Sequence, residues 1–269
     1  MSVVTLTPGA TPLLVSMPHT ASAIPPELAR RMTDEGRVAP DTDWHVDRLY
    51  GFASDLGAGV IKPHWSRYVI DLNRAPDGRD LYAGAKNTEL CPISTFAEEP
   101  IWHPGEEPGE EEIEARRQTY WRPYHDALAA ELRRLKECHG VALLFDAHSI
   151  RSRVPRFFEG RLPDLNVGTA GGVSAARDLI RRVMAVASDA APYGAVLDGR
   201  FKGGYITRAY GRPAEGVHTV QLELAQLTYM EEDPPFAYRP DLAERLRPVL
   251  KALLQAMLDW ARAQPGFRP

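Results

Sequence analysis

What this sequence lacks narrows its function before any motif is read. Cysteine is nearly absent: Cys91 and Cys138 are the only two in 269 residues, and neither belongs to a CxxC pair. That argues against a disulfide-stapled scaffold or a Cys-ligated zinc site, and the two are expected to be free thiols. No stretch approaches the roughly 20 apolar residues that a membrane span needs. No basic segment followed by an apolar core opens the chain, so no secretory signal is visible and a cytoplasmic location is expected. Charge excess is missing too: a formal net charge of -4 offers neither nucleic acid nor an anionic membrane a general attraction. Internal repeats, low-complexity linkers and the HExxH signature are absent, and nothing in the chain signals an oligomeric state. What remains is ordinary globular material, 44% hydrophobic and 25% charged, long enough for one large domain spanning residues 1–269.

Short apolar runs alternate with helical periodicity. Residues 12–18, Val60-Ile61-Lys62, Tyr68-Val69-Ile70-Asp71-Leu72, 141–147 and Val217 to Ala225 read as strands. Val46, Leu49, Tyr50 and Ala53 recur at three and four between Asp43 and Leu56, which predicts an amphipathic helix. A longer helix is expected from about Glu110 to about Cys138, its first turns glutamate-rich and its last turns basic, as the helix dipole favours. Residues 173–187 and 240–262 repeat the pattern. Strands alternating with helices predict an α/β single domain with a mainly parallel or mixed central sheet and helices on both faces. Residues 75–109 are rich in Pro, Gly and acids without periodicity, and are expected to cover the rim of a site.

Two of the apolar runs stop on a histidine: Leu14-Val15-Ser16-Met17-Pro18-His19 and Leu143-Leu144-Phe145-Asp146-Ala147-His148. Ligands collect beyond the carboxyl ends of strands in open α/β sheets, so two imidazoles delivered there suggest a metal site. A His/His/carboxylate set with one position left for water is the usual arrangement in zinc hydrolases. A lone histidine at a strand end is more often just a hydrogen-bonded polar residue; the pair plus an acid is what favours a metal. Asp41, Asp43 and Asp47 surround a predicted helix start. Asp41 fits an N-cap and Asp47 a solvated charge, while Asp43 can point off the helix end and is chosen as the ligand. His45 is expected outside the ligand set. Asp146 shares a strand side with His148 and is either its hydrogen-bond partner or a polar strand end. Glu223, alternating with apolar neighbours on its strand, is costly to bury unless it is paired or its pKa is raised. A general base that deprotonates water has that profile.

Arginines cluster near the same strand ends: Arg67 and Arg74 flank one run, Arg151, Arg153 and Arg156 follow His148, and Arg208 follows Gly203-Gly204. Guanidinium forks match carboxylates, so a small anionic substrate is expected, with Asn73-Arg74 the leading clamp, Arg208 next, and Arg67 and Arg153 as further candidates. Some of these arginines must simply serve solubility and internal ion pairs.

Assembled in order, Ser16-Met17-Pro18-His19, Asp41 to Tyr50, Ser66 to Arg74, Asp146-Ala147-His148-Ser149, Lys202 to Arg208 and Gln221 to Gln226 resemble the N-formylglutamate deformylase (N-formylglutamate amidohydrolase) family over nearly the whole chain. The resemblance implies a zinc-exopeptidase-like architecture, a His/acid/His site for Zn2+ or another divalent metal, and a glutamate base. It implies hydrolysis of N-formyl-L-glutamate to L-glutamate and formate, the last step of one route of histidine degradation, with Asn73-Arg74 acting like the Asn-Arg pair of carboxypeptidase-type enzymes. Two departures stand out. The exopeptidase HxxE pair is missing, since Thr20, Ala21 and Ser22 follow His19; and Thr20-Ala21 stands where many relatives carry Ser-Gly. The rival expectations are a deacylase or carboxypeptidase-like hydrolase of other N-acyl amino acids, and a non-catalytic binder of acidic metabolites.

Overall fold

A computed structural model of the chain describes residues 2–79 and 87–269. Residues 80–86, part of the segment expected to cover the site, lie outside the described residues. Seven strands, β1 (Val4–Thr7), β2 (Leu13–Ser16), β3 (Gly59–Pro63), β4 (Ala142–Ile150), β5 (Leu165–Gly168), β6 (Ala195–Leu197) and β7 (Val217–Ala225), form one sheet in the order β1-β3-β2-β4-β7-β5-β6. The β3, β2, β4 and β7 strands run parallel. The outer strands make the sheet mixed: β1 is antiparallel to β3, and β5 to β7. The helices are α1 (Pro26–Ala29), α2 (Asp34–Val38), α3 (Val46–Leu49), α4 (Glu110–Arg116), α5 (Arg122–His139), α6 (Arg177–Ser188), α7 (Tyr205–Tyr210) and α8 (Pro240–Arg262).

The two central strands are apolar on both faces because both faces are covered. Leu13, Val15, Leu143 and Phe145 point into a core with α3, α6 and α8, while Leu14, Leu144 and Ala142 point the other way, against α5. Burying each such leucine stabilises the fold by about 1.5–3 kcal/mol relative to exposure, and the continuous runs of hydrophobicity are what a doubly covered sheet requires. Both cysteines are free, and no helix among the described residues is long and apolar enough to cross a membrane.

Three local expectations change. Tyr68–Leu72 forms turns, not a strand: the Ser66 carbonyl accepts from Val69 N–H and the Asp71 carboxylate accepts from Asn73 N–H at 2.8 Å, so local side-chain and turn bonds displace a ladder. The helix expected from Asp43 is only α3, because His45 takes a left-handed φ of 60° before it and Gly51–Leu56 is a 3₁₀ turn. The long helix of 110–138 is interrupted: Arg117–Trp121 is a π-helical turn between α4 and α5. In the segment after residue 86, Ile101 and Trp102 are buried against Met32, Tyr68 and Val69, so apolar packing anchors this part.

Candidate active site

The parallel strands deliver their residues to one edge of the sheet. His19 follows β2 by three residues, His148 lies near the end of β4, and Glu223 sits beside His148 in the β4–β7 register. Asp43 arrives from a loop, whose position is set by its neighbours. Asp43 N–H donates to the His19 carbonyl at 3.0 Å. On its two sides Gln226 Nε2 donates to the Thr42 carbonyl at 3.0 Å and Tyr229 Oη to the Trp44 carbonyl at 2.9 Å.

The ligand atoms that His19, Asp43 and His148 offer all lie within 4.8 Å of one another, and all three residues are buried. Asp43 Oδ2 stands 3.7 Å from His19 Nδ1 and 3.1 Å from His148 Nδ1. Each ring presents its far nitrogen to a second carboxylate: His19 Nε2 donates to Asp71 Oδ1 at 2.7 Å, and His148 Nε2 lies 3.2 Å from Asp146 Oδ2. Such carboxylates orient imidazole ligands and raise their basicity. Burial alone would lower the pKa of His148, but Asp146 and Asp43 outweigh it and hold the imidazole well above its ordinary range. On the other ring, burial and the charge of Arg67 lower His19 despite Asp71. Two convergent imidazole nitrogens and one carboxylate fit a divalent cation.

No site role expected from the sequence falls on Asp71, which stands behind His19. Burial would raise its pKa, but Arg67, His19 and Arg74 hold it well below the usual carboxylate range, and Arg67 Nη2 donates to it at 2.6 Å. The signal was present: an acid inside the run Tyr68 to Leu72 is the pattern that singled out Glu223. Burial pushes Glu223 up to about 8, with Asp43 adding to the rise and His148 opposing it.

A cavity opens beside these groups, lined by His19, Arg67, Asn73, Arg74, His148, Gln221, Glu223 and, from other segments, Asn87, Phe96, Phe157, Arg200 and Phe201. Of the expected substrate residues, Asn73, Arg74 and Arg67 reach it. Arg153 and Arg208 are exposed and are not among its lining residues; Arg208 Nε instead donates to the Gly203 carbonyl at 3.0 Å. Arg200, which no spacing marked, takes a place there, its Nε donating to the Phe157 carbonyl at 2.7 Å. Asp41 is a buried anchor, accepting from Tyr68 Oη at 2.5 Å and Phe96 N–H at 2.8 Å, and Asp47 pairs with Lys62 at 2.8 Å on the surface. His45 turns away to the Phe236 carbonyl at 2.7 Å.

Fold and site together define an α/β chain with a two-histidine, one-carboxylate set of donors at the carboxyl edge of its sheet. The model of the N-formylglutamate amidohydrolase family matches residues 11–230, and the chain belongs to that family. It is 52% identical over 252 residues to an N-formylglutamate deformylase of Pseudomonas putida, with 94% of each chain covered. It is 51% identical over 254 residues to the enzyme of the same name from Pseudomonas aeruginosa, covering 94% of this chain and 95% of that one. A crystal structure of N-formylglutamate amidohydrolase from Ralstonia eutropha JMP134 shares the fold, with a TM-score of 0.82 at 23% identity over 97% of this chain and 99% of that one.

Proposed function

We propose that this chain hydrolyses N-formyl-L-glutamate to L-glutamate and formate. The single observation that carries the reading is the convergence of His19, Asp43 and His148 next to a buried Glu223 in an arginine-lined cavity, in a chain about half identical to deformylases along nearly its whole length. His19, Asp43 and His148 would hold a divalent cation, zinc by the chemistry of the donors. When bound, such a cation lowers the pKa of water towards 7 and polarises a carbonyl.

The chain's own groups supply the rest. Glu223, whose ionised form a cation held beside it would favour, takes a proton from the water that attacks the formyl carbon. As the C–N bond breaks, the same residue returns that proton to the departing amine, leaving formate and the amino group of glutamate. Arg74, Arg67 and Arg200 face the cavity and hold the two carboxylates of the glutamyl part, which fixes the formyl group against Glu223. Arg74 is itself braced, its Nε donating to the Thr88 carbonyl at 3.0 Å. Phe96, Phe157 and Phe201 line the cavity, and Asn87 and Phe96 belong to the segment expected to cover its rim. The whole of residues 1–269 acts as one catalytic domain, in the cytoplasm.

The test pairs metal analysis of the purified protein with formate release from N-formyl-L-glutamate, against N-acetyl-L-glutamate and a glutamyl dipeptide. One equivalent of zinc and turnover confined to the formyl substrate are expected. Faster hydrolysis of the acetyl compound or the dipeptide would reassign the substrate.

A further inference from the structure

The loop that carries Asp71, Asn73 and Arg74 has no strand to hold it, yet it touches both candidate ligand rings. Asp71 accepts from His19 Nε2, and the Asn73 amide nitrogen lies 3.1 Å from His148 Nε2. Two residues of α5 and the turn before it grip this loop by its backbone. Trp121 Nε1 donates to the Arg74 carbonyl at 3.1 Å, and His125 Nε2 donates to the Leu72 carbonyl at 2.9 Å. The two carbonyls flank Asn73.

The grip has a local cause. Pro123 has no N–H to offer and its ring crowds the carbonyl of residue 119, so a regular α-helix cannot run through it unchanged. The chain responds with the π-helical turn Arg117–Trp121, closed by the Arg122 N–H to the Arg117 carbonyl. Extra residues of this kind reorient the side chains that follow and are frequent at functional sites. Trp121 and His125, four apart on one face, stack at 3.7 Å between ring centroids. Burial lowers the pKa of His125 to about 4, so the ring is neutral. A carbonyl can only accept, so Nε2 carries the hydrogen, and Nδ1 accepts from Tyr210 Oη at 2.9 Å. The far side of the loop is held as well: Asn73 Oδ1 accepts from Ile206 N–H at 2.8 Å, and a Cβ on Gly204 would sit 2.1 Å from the Asn73 amide nitrogen.

We propose that Trp121 and His125 are positioning residues: by fixing the Leu72 and Arg74 carbonyls they place Asp71 against His19 and so set the metal affinity of the site. This rests on the reading of His19, Asp43 and His148 as cation ligands. It is tested in the full chain with Trp121→Phe, His125→Leu and His125→Gln, the last of which puts an amide N–H where Nε2 stands. Zinc affinity is read by competition with a chromogenic chelator, alongside kcat/KM for formate release and the urea midpoint of the metal-free protein. Trp121→Phe and His125→Leu are expected to weaken zinc binding about 10-fold, the lower end for partners that orient ligands, with a parallel loss of kcat/KM. His125→Gln is expected to restore both. If His125→Leu lowers the urea midpoint while zinc affinity and kcat/KM stay at wild-type values, or if Gln rescues no better than Leu, the proposal is overturned. Wild-type protein that binds zinc but releases no formate would sink the proposed reaction and leave the affinity comparison decisive; wild-type protein that takes up no zinc would sink both.

Discussion

The site is built from two halves made in different ways. His148, Asp146 and Glu223 ride on β4 and β7, where the ladder sets their spacing and the pleat aims them. Asp43, Asp71, Asn73, Arg67 and Arg74 sit on irregular chain and are placed one bond at a time by buried ion pairs and carbonyl grips. The lesson is about where the free energy lies. A strand-borne residue borrows its position from hydrogen bonds and apolar packing that exist without it. A loop-borne residue depends on its own polar partners, and a buried charge that loses its partner is costly.

That contrast can be broken from either side. The largest effect is expected on the strand side and on chemistry alone: Glu223→Gln should lower kcat for formate release by about 10²–10⁴-fold, the range for a lost general base, with bound zinc and the urea midpoint unchanged. An active Glu223→Gln protein would remove the residue from the mechanism. On the loop side the effect should fall on the fold. Arg67→Met strips the buried Asp71 of its bidentate-capable partner and should destabilise the protein by roughly 3–5 kcal/mol in urea unfolding.

The pH dependence of stability sharpens the comparison further. His125 stays neutral down to about 4 when folded, against 6.5 ordinarily. Below pH 6.5 the unfolded chain takes up the proton first, so stability should fall as pH drops from about 6.5 to about 4, by roughly 3 kcal/mol. Urea midpoints of metal-free His125→Gln across that window should lack this component; an identical slope in both proteins would contradict it. The smallest effect belongs to Asp47, from the same acidic cluster as Asp43. Its pair with Lys62 is exposed, so Asp47→Asn should change stability by about 0–1 kcal/mol and leave zinc affinity alone.

The strand-borne half was the legible half. The apolar run of β4 announces His148, and a carboxylate alternating with apolar neighbours announces Glu223, because a strand writes its period of two into the sequence; the run of β2 points to His19, which sits in a turn three residues beyond the strand. The loop-borne half was read less well. Asp43 is singled out from three acids by its place near a helix start, yet that helix is far shorter than its periodicity suggests, because His45 takes a left-handed φ before it and Gly51–Leu56 tightens into a 3₁₀ turn after it. Tyr68–Leu72 has the composition of a strand and folds as turns, and with the strand reading the role of Asp71 went unseen. Arg208 and Arg153, expected as clamps behind the leading pair Asn73-Arg74, are not among the residues that line the cavity, whereas Arg200, which no spacing marks, is.

Composition and periodicity by themselves determined an α/β sheet covered on both faces, and which two histidines and which glutamate reach its carboxyl edge, since these follow from local hydrophobic pattern and the direction of parallel strands. Only the tertiary structure decided which aspartate faces the imidazoles, that Asp71 stands behind His19 and which arginines line the cavity. Those choices depend on contacts between residues tens to more than a hundred positions apart, and no local periodicity encodes them.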